Sequence, residues 1–139
     1  MRFQPPVAQM TRSCLTQTTI PFGGGPDGSQ PILVHAGDSI SMNFYTLHRN
    51  PKTYAPDPDV FRPERWPDLR PNWDYLPFGG GARHCPAQQL ALFWVGYSVV
   101  RIAMEFKEVR NRDVEVGYKE NLKLNLESGN GVKVELVRE

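Results

Sequence analysis

A proline recurs every few residues from Pro51 to Pro77, and that spacing excludes a helix or central strand of ordinary length across the middle of the chain. Each pyrrolidine ring removes a backbone donor and fixes φ, so "NPKTYAPDPDVFRPERWPDLRPNWDYLPFGGGARH" reads as one long meander. A loop of that length without regular structure is usually functional or disordered. Four aromatic residues within it (Phe61, Trp66, Trp73, Tyr75) favour an ordered, packed path. Glycine and proline, 12 and 13 of 139 residues, make about 18% of the chain against roughly 12% in average usage. They crowd the first 87 positions. So much irregular backbone needs an organiser, either a cofactor or a larger body of protein.

The flanks of the meander are more regular. Residues 1–31 are turn-rich: Pro5-Pro6 fixes an extended start, and "PFGGGPDGSQP" predicts an irregular loop. Ile32-Leu33-Val34 and a Gly37-Asp38 turn lead into "SISMNFYTLHRN", whose apolar spacing predicts a short strand and then a short helix. After Cys85, "PAQQLALFWVGYSVVRIAMEF" predicts one helix over 86–106, with Pro86 at its first position. Apolar residues cover nearly every face, so this helix is expected to be buried, with Phe93, Trp94 and Tyr97 as its core. In the tail, "NLKLNL" and "VKVELV" flank "ESGNG", predicting a C-terminal β-hairpin with Asn130-Gly131 at its tip. The string PFGGG occurs at 21–25 and 77–81 with unmatched flanks, which reads as coincidence rather than a repeat.

Composition narrows the function classes. With 16 Lys+Arg against 15 Asp+Glu, the net charge is +1, too little for a nucleic-acid or anionic-membrane binder. Hydrophobic residues at 40% argue against wholesale disorder. Cys14 and Cys85 are too few for a disulfide scaffold. The opening residues show no leader or anchor pattern, and the longest apolar run, Leu90 to Val100, is too short to span a bilayer. The length suits one ordinary domain.

The sharpest chemistry sits at "PFGGGARHCPAQQLA", residues 77–91. Cys85 is placed at the mouth of the predicted helix, where free backbone N–H groups and the helix dipole favour a thiolate. Three glycines before it let the backbone approach a flat, bulky object. Arg83 can reach a carboxylate with paired hydrogen bonds. A thiolate, a glycine platform and an arginine together suit a porphyrin, as axial iron ligand, ring contact and propionate partner.

These residues match a known pattern. Phe78, Gly81, Arg83 and Cys85 reproduce F-x-x-G-x-R-x-C, and the segment resembles the haem-thiolate loop of the cytochromes P-450. Ala87 stands where the pattern ends in glycine. "FRPERW" at 61–66 resembles the family's Pro-Glu-Arg segment, in which Arg65 would lock onto a Glu-x-x-Arg pair. "RFQPPV" resembles the end of the helix carrying that pair, with Arg2 as its arginine and the glutamate expected just upstream of Met1. Arg12 falls where the family places a second propionate arginine. The "GGGPDG" loop followed by "PILVHAGD" resembles most closely the fungal and yeast alkane and fatty-acid hydroxylases.

The resemblance covers essentially the whole chain and implies a mainly α fold with small β-sheets, of which residues 1–139 would be the C-terminal haem-binding part. For this part it implies a proline-rich meander, one long buried helix and a C-terminal hairpin. The implied cofactor site comprises Phe78, Gly79, Gly81, Arg83, Cys85, Ala87 and Arg12, with Cys85 as the ligand of haem iron. The implied substrate contacts are Val7, Ala8, Gln9 and Met10, with Gly129 and Asn130 at the tip of the last hairpin. Arg2 and Arg65 would be structural. The implied activity is a monooxygenase that inserts one atom of O2 into a hydrophobic small molecule, an alkane or fatty acid, with electrons from NADPH through a flavoprotein reductase. The implied location is the endoplasmic reticulum membrane, through an anchor not visible here.

Plainer readings stand beside these. Cys85 could be a buried free cysteine, Arg83 a surface arginine, and the chain a non-catalytic haem-binding or interaction product. His84 occupies a position the motif leaves free and reads as a solvent-facing or packing histidine. His35 and His48 have no acidic or cysteine companion at metal-ligand spacing, and Cys14 reads as an ordinary thiol.

Overall fold

The computed structural model describes residues 1–114 and 117–138. Among them the chain forms eight strands and three α-helices. The strands are β1 (Gln9–Ser13), β2 (Thr18–Gly24), β3 (Gln30–Val34), β4 (Ser39–Asn43), β5 (Glu108–Asn111), β6 (Glu120–Leu122), β7 (Leu126–Ser128) and β8 (Val134–Val137). The helices are α1 (Phe44–Leu47), α2 (Pro51–Tyr54) and α3 (Gln88–Glu105). Only α3 is long. The expectation of a mainly α chain therefore fails for these residues, because short antiparallel pairs outnumber helices and the prolines keep the middle irregular.

The strands pair two by two. β1 runs antiparallel to β4, with Met10 opposite Met42 and Arg12 opposite Ile40. The alternation of β1 is simple: Met10 and Arg12 are half-buried on one face while Gln9, Thr11 and Ser13 point to solvent. β2 and β3 form a hairpin with a register shift between Ile20 and Gly24, so the glycine-rich loop expected there is the tip of a strand pair. β5 pairs with β8 and β6 with β7. The predicted hairpin around Asn130-Gly131 is thus corrected: β7 and β8 are not partners. "NLKLNL" itself folds back, with Lys123 N–H bonding the Asn125 carbonyl, and Ser128 to Gly131 form a turn closed by the Ser128 hydroxyl.

The strand-then-helix reading of 39–50 holds. Asn43 caps α1 by accepting from the Thr46 N–H, and Asn50 caps α2 by accepting from Lys52 with Pro51 at the first helical position. The meander then runs through short 3-10 turns at Pro63–Arg65, Asn72–Asp74 and Gly81–Arg83. Two of its four aromatic residues pack: Trp66 meets Tyr75 at 4.9 Å between ring centres, and Tyr75 leans on His48 at 5.3 Å. Phe61 and Trp73 are exposed.

The core is small and partly polar. Val34, Phe44 and Tyr54 are its buried apolar residues, with Arg2, His48 and Arg65 buried among them. Both arginines are spent on backbone carbonyls. Arg2 donates to His48, Pro58 and Val60, and Arg65 to Tyr54, Pro56, Asp57, Val60 and Arg62. A meander without ladders leaves its carbonyls unpaired, and these two guanidiniums with their fixed fork of donors satisfy them.

Helix α3 departs from expectation at both ends and on its surface. It starts at Gln88 with Ala87 at its cap, so Pro86 lies outside it, and it ends at Glu105. None of its residues is buried; Phe93 and Trp94 are 66% and 63% exposed, so they are not core residues of this chain. The accessible surface of 10714 Å² compares with about 7,300 Å² for a compact monomer of this mass. Among the described residues no helix is long and apolar enough to cross a membrane.

Candidate cofactor site

A cavity of about 600 Å³ lies between the first strand and the glycine loop, within the range of small-molecule and cofactor sites. Val7, Met10 and Arg12 come from β1 and the segment before it, Phe44 from the start of α1, and Phe78, Gly79, Arg83 and Cys85 from the loop. Of the residues expected to bind a cofactor, five therefore meet here. Gly81 and Ala87 do not line the cavity; Gly81 sits in the turn behind Ala82, and Ala87 caps α3.

The loop is built by a few backbone bonds. Gly79 N–H bonds the Leu76 carbonyl at 3.1 Å, and Cys85 N–H bonds the Phe78 carbonyl at 2.9 Å. Gly79 has φ +74°, where a side chain would be strained, and an added Cβ would lie 3.5 Å from Met10 Cε. That distance is ordinary van der Waals contact, so the backbone angle rather than space calls for glycine here. Cys85 is half-buried and unbridged. It precedes the α3 cap by two residues, so it is not at the first turn of the helix; its carbonyl accepts from Gln88 N–H at 3.4 Å.

The cations of the site are poorly neutralised. Arg12 donates to Met10 Sδ at 2.7 Å, to the Thr11 carbonyl and to the Arg83 carbonyl at 3.5 Å, and meets no carboxylate among the described residues. The Arg83 guanidinium is exposed and has no hydrogen-bond or ion-pair partner among the described residues. Two guanidiniums without a carboxylate among the described residues, lining one cavity with a thiol and apolar walls, fit a flat, apolar ring bearing carboxylates, the chemistry of haem. His84 is exposed, its Nδ1 3.0 Å from the Gly81 carbonyl. Cys14 donates to the Thr16 carbonyl. No cluster of three metal-ligating side chains occurs among the described residues.

The family model described as cytochrome P450 matches residues 1–130. This chain belongs to the cytochrome P450 family. It is 45% identical over 112 residues to cytochrome P450 monooxygenase apdE of Emericella nidulans, covering 81% of this chain and 22% of the relative. It is 42% identical over 138 residues to cytochrome P450 monooxygenase fsdH of Fusarium heterosporum, covering 99% and 24%. Cytochrome P450 monooxygenase iliC of Hypocrea jecorina is 39% identical over 133 residues, covering 96% and 29%. The chain therefore spans about a quarter of the length of these curated relatives.

The remaining expected residues of this P450 chain are placed elsewhere. Ala8 does not line the cavity, and its carbonyl accepts from the Phe44 and Tyr45 N–H groups. Gln9 donates across β1–β4 to the Ser41 hydroxyl. Gly129 bonds the Lys119 carbonyl, and Asn130 donates to Asp113 beside a second cleft lined by Asn111 and Tyr118. Val7 and Met10 alone of the substrate set face the cavity. Phe44 lines it and had escaped notice, although Ile40, Met42 and Phe44 alternate at strand spacing.

Proposed function

We propose that this chain supplies the haem-binding part of a P450 monooxygenase. The observation that carries the reading is the convergence of Phe78, Gly79, Arg83 and Cys85 with Met10 and Arg12 on one cavity. Cys85 would hold the iron as thiolate, Phe78 and Gly79 would lie against the ring, and Arg83 and Arg12 would bind its propionates. When bound, a thiolate-ligated haem supplies O2 activation and oxygen insertion into an unactivated C–H bond. The two arginines orient the ring and neutralise its carboxylates, and Val7, Met10 and Phe44 form an apolar wall that keeps water from one side.

Electrons would come from NADPH through a flavoprotein reductase. Val7, Met10 and Phe44 suit an extended hydrocarbon, so an alkane or fatty acid is the proposed substrate. The complete protein would work at the endoplasmic reticulum membrane. The decisive experiment is a haem titration of the chain followed by its ferrous–CO spectrum. A thiolate-type band that disappears in Cys85→Ala supports the assignment; an unchanged band in that variant refutes it.

A second reading has its own observation. The bare apolar faces of α3 favour a chain that binds haem without turning over substrate unless another body covers them. Haem binding with no product from the chain and reductase together would select that reading.

A further inference from the structure

His48 is wholly buried, lies at the end of α1, and plays no part in the site as described so far. Its ring sits between Phe44, stacked at 6.2 Å, and Tyr75. Its Nε2 accepts the Leu76 N–H at 2.9 Å, 28 residues along the chain. Its own carbonyl is held by Arg2. Leu76 is the last residue before the loop. Its carbonyl takes the Gly79 N–H, and the next bond in the series joins Cys85 N–H to the Phe78 carbonyl. A continuous path of backbone bonds thus runs from the imidazole to the amide of Cys85. The His48 end is fixed: the ring is wholly buried against Phe44 and Tyr75, and its backbone N–H is bonded to the Phe44 carbonyl at 2.9 Å.

We infer that His48 is a positioning residue for the thiolate loop. It sets the height at which the chain leaves the meander at Leu76 and hence where Cys85 stands over the cavity. The inference rests on the haem reading above for its purpose, though not for its geometry. An acceptor at this point matters because the part-buried Leu76 N–H would otherwise lose its partner, and the start of the loop could then turn toward solvent to hydrate it. Burial keeps the imidazole neutral, the only form whose Nε2 can accept. The remaining ring nitrogen, Nδ1, is buried without a hydrogen-bond partner among the described residues; the site tolerates that cost to present Nε2 to Leu76.

The test compares His48→Gln, which keeps an acceptor at the right reach, with His48→Met, which keeps the length and removes it. Both are made in the full chain, held in a nonionic detergent that covers α3. Site-resolved amide exchange is the first readout. In His48→Met, exchange at Leu76, Gly79 and Cys85 should quicken about tenfold, while β2–β3 amides keep their rates; in His48→Gln all should stay near the parent. Equal exchange at Cys85 in the two variants overturns the inference, and so does a loss of protection throughout the chain, which would mark a general structural role. With haem added, His48→Met should lose the thiolate-type ferrous–CO band in favour of a neutral-thiol one, and His48→Gln should retain it. A parent chain that takes up no haem refutes the haem reading, and exchange still decides the role of His48.

Discussion

Arg2 and Arg65 both donate to the carbonyl oxygen of Val60, at 3.3 and 3.2 Å. They are 6% and 7% exposed, and their like charges press on each other: burial first, then Arg65, lowers the pKa of Arg2. Neither meets a carboxylate in its hydrogen bonds. What holds two cations together is the set of meander carbonyls, several of which, among them those of Tyr54, Pro56 and Pro58, accept from these guanidiniums alone among the described residues.

Arg65→Ala should therefore destabilise the chain by roughly 3 kcal/mol, since it removes five hydrogen bonds at once and takes from the Tyr54 and Pro56 carbonyls the donor they have in Arg65. Arg65→Lys should recover only part of this, because an ammonium cannot span the same fork. Urea unfolding followed by tryptophan fluorescence measures both, and equal midpoints for parent and Ala variant would contradict the account.

Arg83→Ala and Arg12→Ala should each speed haem loss, Arg83→Ala by about tenfold or more, because a charge-assisted hydrogen bond to a propionate is worth about 1.5–3 kcal/mol. Transfer of haem to an apo-acceptor protein reads the rate. Arg12 has Met10 and Thr11 to return to and should show the smaller effect. Equal rates in all three proteins would remove both residues from the site.

Stability should fall on acidification through a particular window. Burial, the nearby Met1 amino group, and the Arg2 and Arg49 guanidiniums push the His48 pKa from 6.5 down to about 4, against an upward pull from the Arg2 backbone. The rings packed on it, Phe44 and Tyr75, add no charge that would reverse this. The unfolded chain binds the proton first, so between pH 6.5 and 4 it gains protons that the folded chain lacks. His48 thus contributes stability that is complete above 6.5, falls as pH drops and is gone below about 4, of the order of 3 kcal/mol in all. Urea midpoints measured from pH 4 to 7 should show that slope, flattened in His48→Gln.

The α3 surface should drive association. Phe93 and Tyr97 stack on one side, 6.3 Å apart, and Trp94 lies exposed beside them. Exchanging Phe93 and Trp94 for serine should lower binding of a hydrophobic dye by about twofold and reduce aggregate size in light scattering. Haem uptake should be unaltered, since neither residue lines the cavity. A variant pair as aggregated as the parent would show that another surface is responsible.

Several elements could be read without coordinates because their causes are local. Prolines interrupt hydrogen-bonding wherever they stand, so the meander was plain from spacing alone. Asn43 and Asn50 carry their capping chemistry in their own side chains. The pattern Phe78, Gly81, Arg83, Cys85 marked the loop, since its backbone bonds span only a few residues. Partnership was not legible. "VKVELV" has strand character, but its pairing with β5 rather than β7 depends on where α3 delivers the chain. The hairpin reading failed there because proximity in sequence is only one route to a partner. Arg2 and Arg65 could be singled out as structural, yet nothing local says that backbone carbonyls would hold them. Likewise His48, seen alone, is a histidine without companions; only when the meander returns does Leu76 N–H reach its ring. Periodicity reports which faces are apolar, whereas the partner of a face, the burial of a charge and the acceptor for a distant amide arise from long-range contacts, which only the folded chain brings together.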